Sequence, residues 1–306
     1  FKRNGDTWTQ QTKLVAGDKQ QGDYFGISVS ISGDYAIVGV SYEDPGVPEL
    51  SSAGSAYIFK RNGDTWTQQT KLVAGDKQQG DYFGISVSIS GDYAIVGVSY
   101  EDPGVPELSS AGSAYIFKRN GDTWTQQTKL TAYDKQQSDY FGRSVSISGD
   151  YAIVGAYAED PGDPEVPGAG SAYIFKRNGD TWTQQTKLTA YDKQQGDIFG
   201  LDVSISGDYA IVGAVFEDAS EYVNNNAGAA YIFKRNGDTW TQRTKLVAND
   251  AAQGDTFGGP VAIDGDYVIS GAFSKDTYTG AAYIYTIKDI YSPVQLIPQY
   301  NQYGFS

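Results

Sequence analysis

The chain has 306 residues, of which 40% are hydrophobic and 14% aromatic, so it can bury a sizeable core. Its formal net charge of −14 argues against nucleic-acid and anionic-membrane partners, because such surfaces need clustered Lys and Arg. The absence of Cys and His excludes disulfides and removes both the commonest transition-metal ligand and the usual general base near neutral pH. No apolar run approaches the roughly 18 residues that would predict membrane insertion.

One motif, FKRNGDTWTQQTKL, starts at Phe1 and returns four times with a single substitution. Its Trp residues keep a fixed spacing of 58 residues, at Trp8, Trp66, Trp124, Trp182 and Trp240. Residues 1–58 and 59–116 are identical, which indicates a recent duplication. A strict internal period of this length predicts a repeat architecture.

Each period contains the signals of four strands. Residues 27–32, ISVSIS, alternate apolar and small polar side chains, and residues 35–41, YAIVGVS, are apolar on both faces, as an inner strand requires. Residues 55–61, SAYIFKR, form the third strand, and the Asn-Gly pair that follows predicts a type I′ hairpin with two positive-φ residues. Residues 64–72, DTWTQQTKL, are polar apart from one Trp, which favours a soluble edge strand.

These signals predict an all-β fold, a β-propeller of five four-stranded antiparallel blades. A single blade cannot bury both faces of its inner strands, whereas a ring of blades can. The small serines of the first strand are expected to let neighbouring blades pack closely near the axis.

The two ends of the chain decide how the ring closes. The final unit, from Phe257, supplies three strands, and residues 1–15 are expected to complete the blade of 257–288, so that 1–288 is one propeller domain. Residues 289–306 form a tail that is an extra strand or an assembly segment. The tail also aligns with the fourth-strand motif, with Tyr291 at the Trp position and Ile297 at the Leu position. In that case the N-terminal strand either belongs to a further upstream blade or inserts into the open edge of another molecule.

The order DYFGISVSISGDYAIVGV followed by GSAYIF, repeated from Asp23 to Tyr285, resembles the FG-GAP repeat of the integrin α-subunit head and of secreted microbial repeat proteins. The resemblance implies a β-propeller, an extracellular or cell-surface location, and adhesion or protein-protein contact. The family's calcium loop is absent, because the tight link SISGDYAIVG replaces it and one Asp cannot supply the six or more oxygens that Ca²⁺ needs. No cofactor is therefore required, although calcium remains an option elsewhere.

The loops between the second and third strands are the most variable part of the repeat, and such loops usually carry binding residues. An Asp recurs in each loop, and these side chains form a candidate acidic rim with weak calcium affinity: Asp44, Asp102, Asp160, Asp218 and Asp276. The alternative is that each Asp starts and solvates its turn. The candidate interaction residues are Trp8, Tyr222, Tyr278, Tyr291, Ile297, Tyr300 and Tyr303.

The predicted function is a non-enzymatic module for adhesion or structural protein-protein contact through these loops, with a protein or glycan ligand or further copies of itself as partner. The alternative is a self-assembling subunit of an extracellular filament that uses the terminal strand and the tail. A glycoside-active enzyme is a third hypothesis, but a catalytic carboxylate pair should break the symmetry of the repeats, whereas most acids here recur in every repeat.

Overall fold

The computed structural model describes residues 1–218 and 226–290, and within them the chain forms consecutive antiparallel sheets that are the blades of a β-propeller. An N-terminal hairpin comes first, made of β1 (Lys2–Asn4) and β2 (Thr7–Thr9). The first blade contains β3 (Ser28–Ser32), β4 (Tyr35–Val40), β5 (Ser55–Asn62) and β6 (Thr65–Leu72). The second contains β7 (Ser86–Ser90), β8 (Tyr93–Val98), β9 (Ser113–Asn120) and β10 (Thr123–Leu130).

The remaining blades repeat this order. The third blade contains β11 (Val145–Ser148), β12 (Tyr151–Ala156), β13 (Ser171–Asn178) and β14 (Thr181–Leu188). The fourth contains β15 (Val203–Ser206), β16 (Tyr209–Ala214), β17 (Ala229–Asn236) and β18 (Thr239–Leu246). The last has three described strands, β19 (Phe257–Asp264), β20 (Tyr267–Ala272) and β21 (Ala281–Thr286), with the short turns α1 (Lys275–Tyr278) and α2 (Ile287–Ile290). The predicted five-bladed all-β propeller is thus confirmed.

The strand patterns within a blade follow the sequence closely. Every residue of β4, β8 and β12 is buried, as expected for strands with two apolar faces. The hairpin after the third strand differs from the predicted type I′ turn. Asn62 pairs with Thr65, so the two loop residues are Gly63 and Asp64, and of these Gly63 alone has a positive φ. Glycine at the first loop position is the pattern of a type II′ hairpin.

The hydrophobic core lies between blades. Tyr35, Ile37 and Ile58 of the first blade pack in one cluster with Val87 and Ile89 of the second, and the same contact recurs at the later junctions. Each blade therefore has an upstream face, toward the preceding blade in chain order, and a downstream face, toward the next.

The first-strand serines do more than reduce bulk. The hydroxyl oxygens of Ser28, Ser30 and Ser32 accept hydrogen bonds from backbone N–H groups of the second blade at 2.9 to 3.2 Å. Serines at the same positions of the second and third blades accept from the next blade in the same way. In the fourth blade the acceptors are Asp202, Ser204 and Ser206. These bonds satisfy backbone N–H groups at the free edge of the first strand in the next blade, and burying those groups without a partner would cost free energy.

The N-terminal segment is placed differently from the predicted ring closure. β1 pairs with β2 in a sheet of its own, and this hairpin lies against the first blade, where the Lys2 ammonium contacts Asp64 at 2.7 Å. The reason is that residues 1–4 correspond to the end of a third strand, so the segment brings its own pairing partner. Residues 291–306 lie outside the described residues, and with them the predicted tail strand. Among the described helices, none has the length and apolar character needed to cross a membrane.

Candidate functional site

The second-to-third strand loops lie at the end of the blades where each first strand begins and each second strand ends. Within these loops the recurring Asp side chain closes its own loop. A side-chain oxygen of Asp44 accepts from the Ser52 N–H at 2.7 Å, and the same bond, 2.6 to 2.9 Å long, joins residues eight apart in the next three blades. Asp102, Asp160 and Asp218 make these later bonds. Such bonds fix the loop shape, which matches the structural alternative for these residues.

The predicted acidic rim is not a preformed metal site in the described part of the chain. No group of three or more acidic side chains there is arranged to hold a metal ion. Asp276 differs from its counterparts because it lies in the turn α1 with a left-handed φ of 50°. Weak calcium affinity of these five aspartates therefore stays a prediction.

A buried glutamate lies behind the rim loop in each of the first four blades. Glu43 accepts from the Ser55 hydroxyl and from the Lys71 ammonium, which also contacts Asp18 at 2.8 Å. The same arrangement recurs in the second and third blades around Glu101 and Glu159. Because these carboxylates are engaged with a cation and a hydroxyl, they hold the loop to the blade and are not free for proton transfer.

The fourth blade breaks this network. Ala229 stands where the first three blades have serine, and one carboxylate oxygen of Glu217 is buried without a hydrogen-bond partner among the described residues. Burial raises the pKa of Glu217 to about 7, against the opposing effect of the Lys245 ammonium. In the last blade Lys275 takes the glutamate position and contacts the buried Asp255 at 3.0 Å.

The most prominent feature of the rim is a continuous row of aromatic rings, here called the tyrosine arc: Tyr24, Tyr42, Tyr82, Tyr100, Tyr140 and Tyr157. Successive ring centroids are 4.9 to 5.4 Å apart, and the row crosses the first three blades. Tyr24, Tyr42 and Tyr100 are exposed, and the other members are half-buried. The arc thus presents a broad amphipathic surface to solvent at the loop end of the blades.

The backbone under the arc is strained. Tyr24, Tyr82 and Tyr140 have φ values of 54 to 57°, a left-handed conformation that is unfavourable for a bulky side chain. Ile198 and Thr256 share this conformation, so it belongs to the repeat, and the tyrosine is an added choice in three blades. The left-handed conformation is therefore a property of the repeat backbone, and it sets the position of the arc's rings without by itself marking a binding surface.

The candidate interaction residues have separate locations. Trp8 is exposed on β2 opposite Arg3, and Tyr278 is exposed in α1. Tyr222, Tyr291, Ile297, Tyr300 and Tyr303 lie outside the described residues. The sequence reasoning did not identify the tyrosine arc, although Tyr24 and Tyr42 recur at the 58-residue period as Tyr82 and Tyr100.

The Phe-Gly pair that opens each blade serves the junctions between blades. Phe83 is fully buried, its N–H donates to the Ala53 carbonyl at 2.9 Å, and the Gly84 carbonyl reaches so close to Gly39 that a Cβ there would overlap it. The FG-GAP repeat model matches five segments with these features, residues 8–59, 66–117, 124–175, 182–233 and 240–285. The chain belongs to the FG-GAP repeat family. No curated protein matches it closely enough to count as a relative.

In FG-GAP terms, each repeat spans two blades. A match that starts at a Trp begins in the fourth strand of one blade and ends in the third strand of the next. Each junction therefore joins two consecutive repeats, because the Phe83-Gly84 pair of one lies against Gly39 and Gly54 of the repeat before it. The Phe-Gly phenylalanines after the first are fully buried at these junctions, whereas the tyrosine arc lies at the loop rim.

Proposed function

We propose that this FG-GAP chain is a non-enzymatic β-propeller module that makes adhesive or structural contacts with protein partners outside the cell through the tyrosine arc. The observation that carries the proposal is the row of six rings in continuous contact on the loop rim. Tyrosine offers a large apolar area with a polar end and little conformational entropy to lose, which is why protein interfaces are enriched in it.

Two further features support a contact role. The loops beside the arc are braced by the Asp bonds and the Glu–Lys pairs, so the surface is pre-organised and loses little entropy on binding. The carboxylates of the rim recur from blade to blade and have hydrogen-bond or ionic partners, an arrangement suited to scaffolding and unlike an isolated acid/base pair. The extracellular location rests on the resemblance to integrin and secreted FG-GAP proteins.

The test compares binding of beads coated with the wild-type protein and with a Tyr42→Ala/Tyr82→Ala/Tyr100→Ala variant to panels of immobilised extracellular proteins and glycans. The control is Tyr133→Ala/Tyr191→Ala, which removes two exposed tyrosines outside the arc. The proposal expects retention on a protein surface that falls about tenfold or more in the arc variant and is unchanged in the control. Equal retention of all three proteins would contradict the proposal. Retention on glycans alone would show that the partner is a glycan and not a protein.

A second candidate function is self-assembly, as a subunit of an extracellular filament. It is favoured by a separate observation, namely that no described residue covers the apolar faces at the two ends of the row of blades.

A further inference from the structure

The junction between consecutive blades follows one pattern at all its occurrences in the chain. On one side, the preceding blade offers its downstream face, such as Tyr35, Ile37 and Ile58 in the first blade. On the other side, the next blade inserts the first-strand residues Val87 and Ile89, which are only 4% exposed. In this chain, therefore, the upstream face of a blade packs on the downstream face of the blade before it.

In the part of the chain that the structure describes, nothing covers the upstream face of the first blade in this way. Val29 and Ile31 have the same local sequence as Val87 and Ile89, yet each is 66% exposed. Phe25 is only half-buried, whereas its counterparts in the later blades are fully buried. This surface, here called the plug, consists of Phe25, Gly26, Val29 and Ile31.

The downstream face of the last blade is open as well. Tyr267 and Ile284 are 63% and 70% exposed, whereas their counterparts in the first blade, Tyr35 and Ile58, are buried. Beside them lies an open apolar cavity of about 290 Å³ whose lining includes Gly271 and Gly280. This surface, here called the socket, consists of Tyr267, Ile269, Gly271, Gly280 and Ile284.

The plug and the socket match at the level of the backbone. At each internal junction, the Phe-Gly backbone of one blade lies against two glycines of the preceding blade, such as Gly39 and Gly54 against Phe83 and Gly84. Gly271 and Gly280 are the equivalent glycines of the last blade. The cavity beside Gly280 therefore lies where the Phe25 backbone of another blade would fit, while Pro260 of the same blade, 2.8 Å from the position of a Cβ on Gly271, narrows the place that Gly26 would take.

We infer that the plug of one copy of this chain packs into the socket of a second copy, giving head-to-tail assembly. This inference rests on the second candidate function and deepens it by naming the interface. Within one chain the two faces do not cover each other, since Val29, Ile31, Tyr267 and Ile284 all remain exposed together. A second copy carries both surfaces with the apolar residues and glycines that the chain uses at its internal junctions, although Pro260 and Ala262 stand where Ser28 and Ser30 of the first blade accept hydrogen bonds from the next blade.

The N-terminal hairpin has to move aside for this arrangement to form. The Lys2–Asp64 contact of 2.7 Å is the counterpart of the Lys60–Asp122 contact between the first and second blades. The hairpin therefore stands beside the plug where the outer strands of a preceding blade would stand. Its strand β1 takes the place of the last residues of a third strand, where Thr286 and Ile287 of the neighbouring copy would lie, so docking displaces β1 and leaves β2 as the candidate fourth strand beside β21. A head-to-tail contact of this kind gives rings if the rotation closes and filaments if it does not.

The test measures the mass of the full chain by sedimentation velocity over a wide concentration range. Ile31→Glu disables the plug and Ile284→Glu disables the socket, and both residues are exposed in the single chain, so each variant should fold. Val47→Glu, in an exposed loop, is the control. Wild type and control should associate increasingly with concentration, while each single variant should associate about tenfold or more weakly.

Mixing the two variants gives the sharpest readout. Each retains one intact surface, so an equimolar mixture should form a one-to-one pair that does not extend further. If wild type associates but the variants associate equally well, the plug-and-socket interface is overturned while self-assembly stands. If wild type stays monomeric at all concentrations, both are overturned, and a loss of thermal stability in both variants would show that the chain closes on itself.

Discussion

Ile31 and Ile89 provide a matched pair for testing the uncovered face of the first blade. They occupy the same position in two identical stretches of sequence, so local propensity is equal, yet Ile31 is 66% exposed and Ile89 is 4% exposed. Replacing a buried Ile by Ala costs about 2 to 5 kcal/mol through lost burial and the cavity left behind. With roughly a third of its surface covered and no closed cavity to leave, Ile31→Ala should cost below about 1 kcal/mol.

The assay is urea unfolding followed by tryptophan fluorescence at a protein concentration low enough to prevent association. The free energy of unfolding should fall clearly in Ile89→Ala and little in Ile31→Ala. Equal losses in the two variants would refute the reasoning, because they would mean that the first blade is covered in the isolated chain. At high concentration the cost of Ile31→Ala should rise, since association stabilises the face it contributes to.

Three further predictions concern the junctions and the buried acids. Gly155→Ala should lower stability by about 1 to 3 kcal/mol in urea unfolding, because its Cβ would overlap the backbone of the next blade, whereas Gly75→Ala has room and should be neutral. Ala229→Ser should raise stability by about 1 kcal/mol in the same assay by giving Glu217 the hydroxyl that it lacks. Burial raises the pKa of Asp139 to about 7, so the folded state takes up this proton before the unfolded state and stability should rise as pH falls from 8 to 5. Thermal melts across that range should show a smaller rise in Asp139→Asn.

Much of the fold could be predicted from the sequence, because the repeat period and the alternation of apolar and polar residues along a strand can both be seen in short stretches of the chain. β4 is buried on both faces, as its sequence predicts, and β6 is largely polar. The location of the N-terminal segment could not be predicted, because the same motif forms an edge strand in the blades and a separate hairpin at the N-terminus, depending on what lies beside it. Identical sequence likewise cannot reveal that Ile31 and Ile89 differ in burial.

The candidate site was predicted less well, for a physical reason. The tyrosine arc joins residues from different blades, such as Tyr42 and Tyr82, whose contact depends on how one sheet packs on the next. The sequence pattern revealed the recurring aspartates, but the first four of these side chains bond within their own loops. Because the arc is formed between repeats, it depends on how the blades pack and cannot be predicted from one repeat alone.

The most direct test of the contact role is tyrosine nitration, read by mass spectrometry, of the protein free and bound to the surface that retains it. The account predicts that Tyr24, Tyr42 and Tyr100 become protected on binding, while Tyr133 and Tyr191, which are exposed outside the arc, react as in the free protein. Unchanged nitration of the arc together with protection of Tyr133 and Tyr191 would contradict the account.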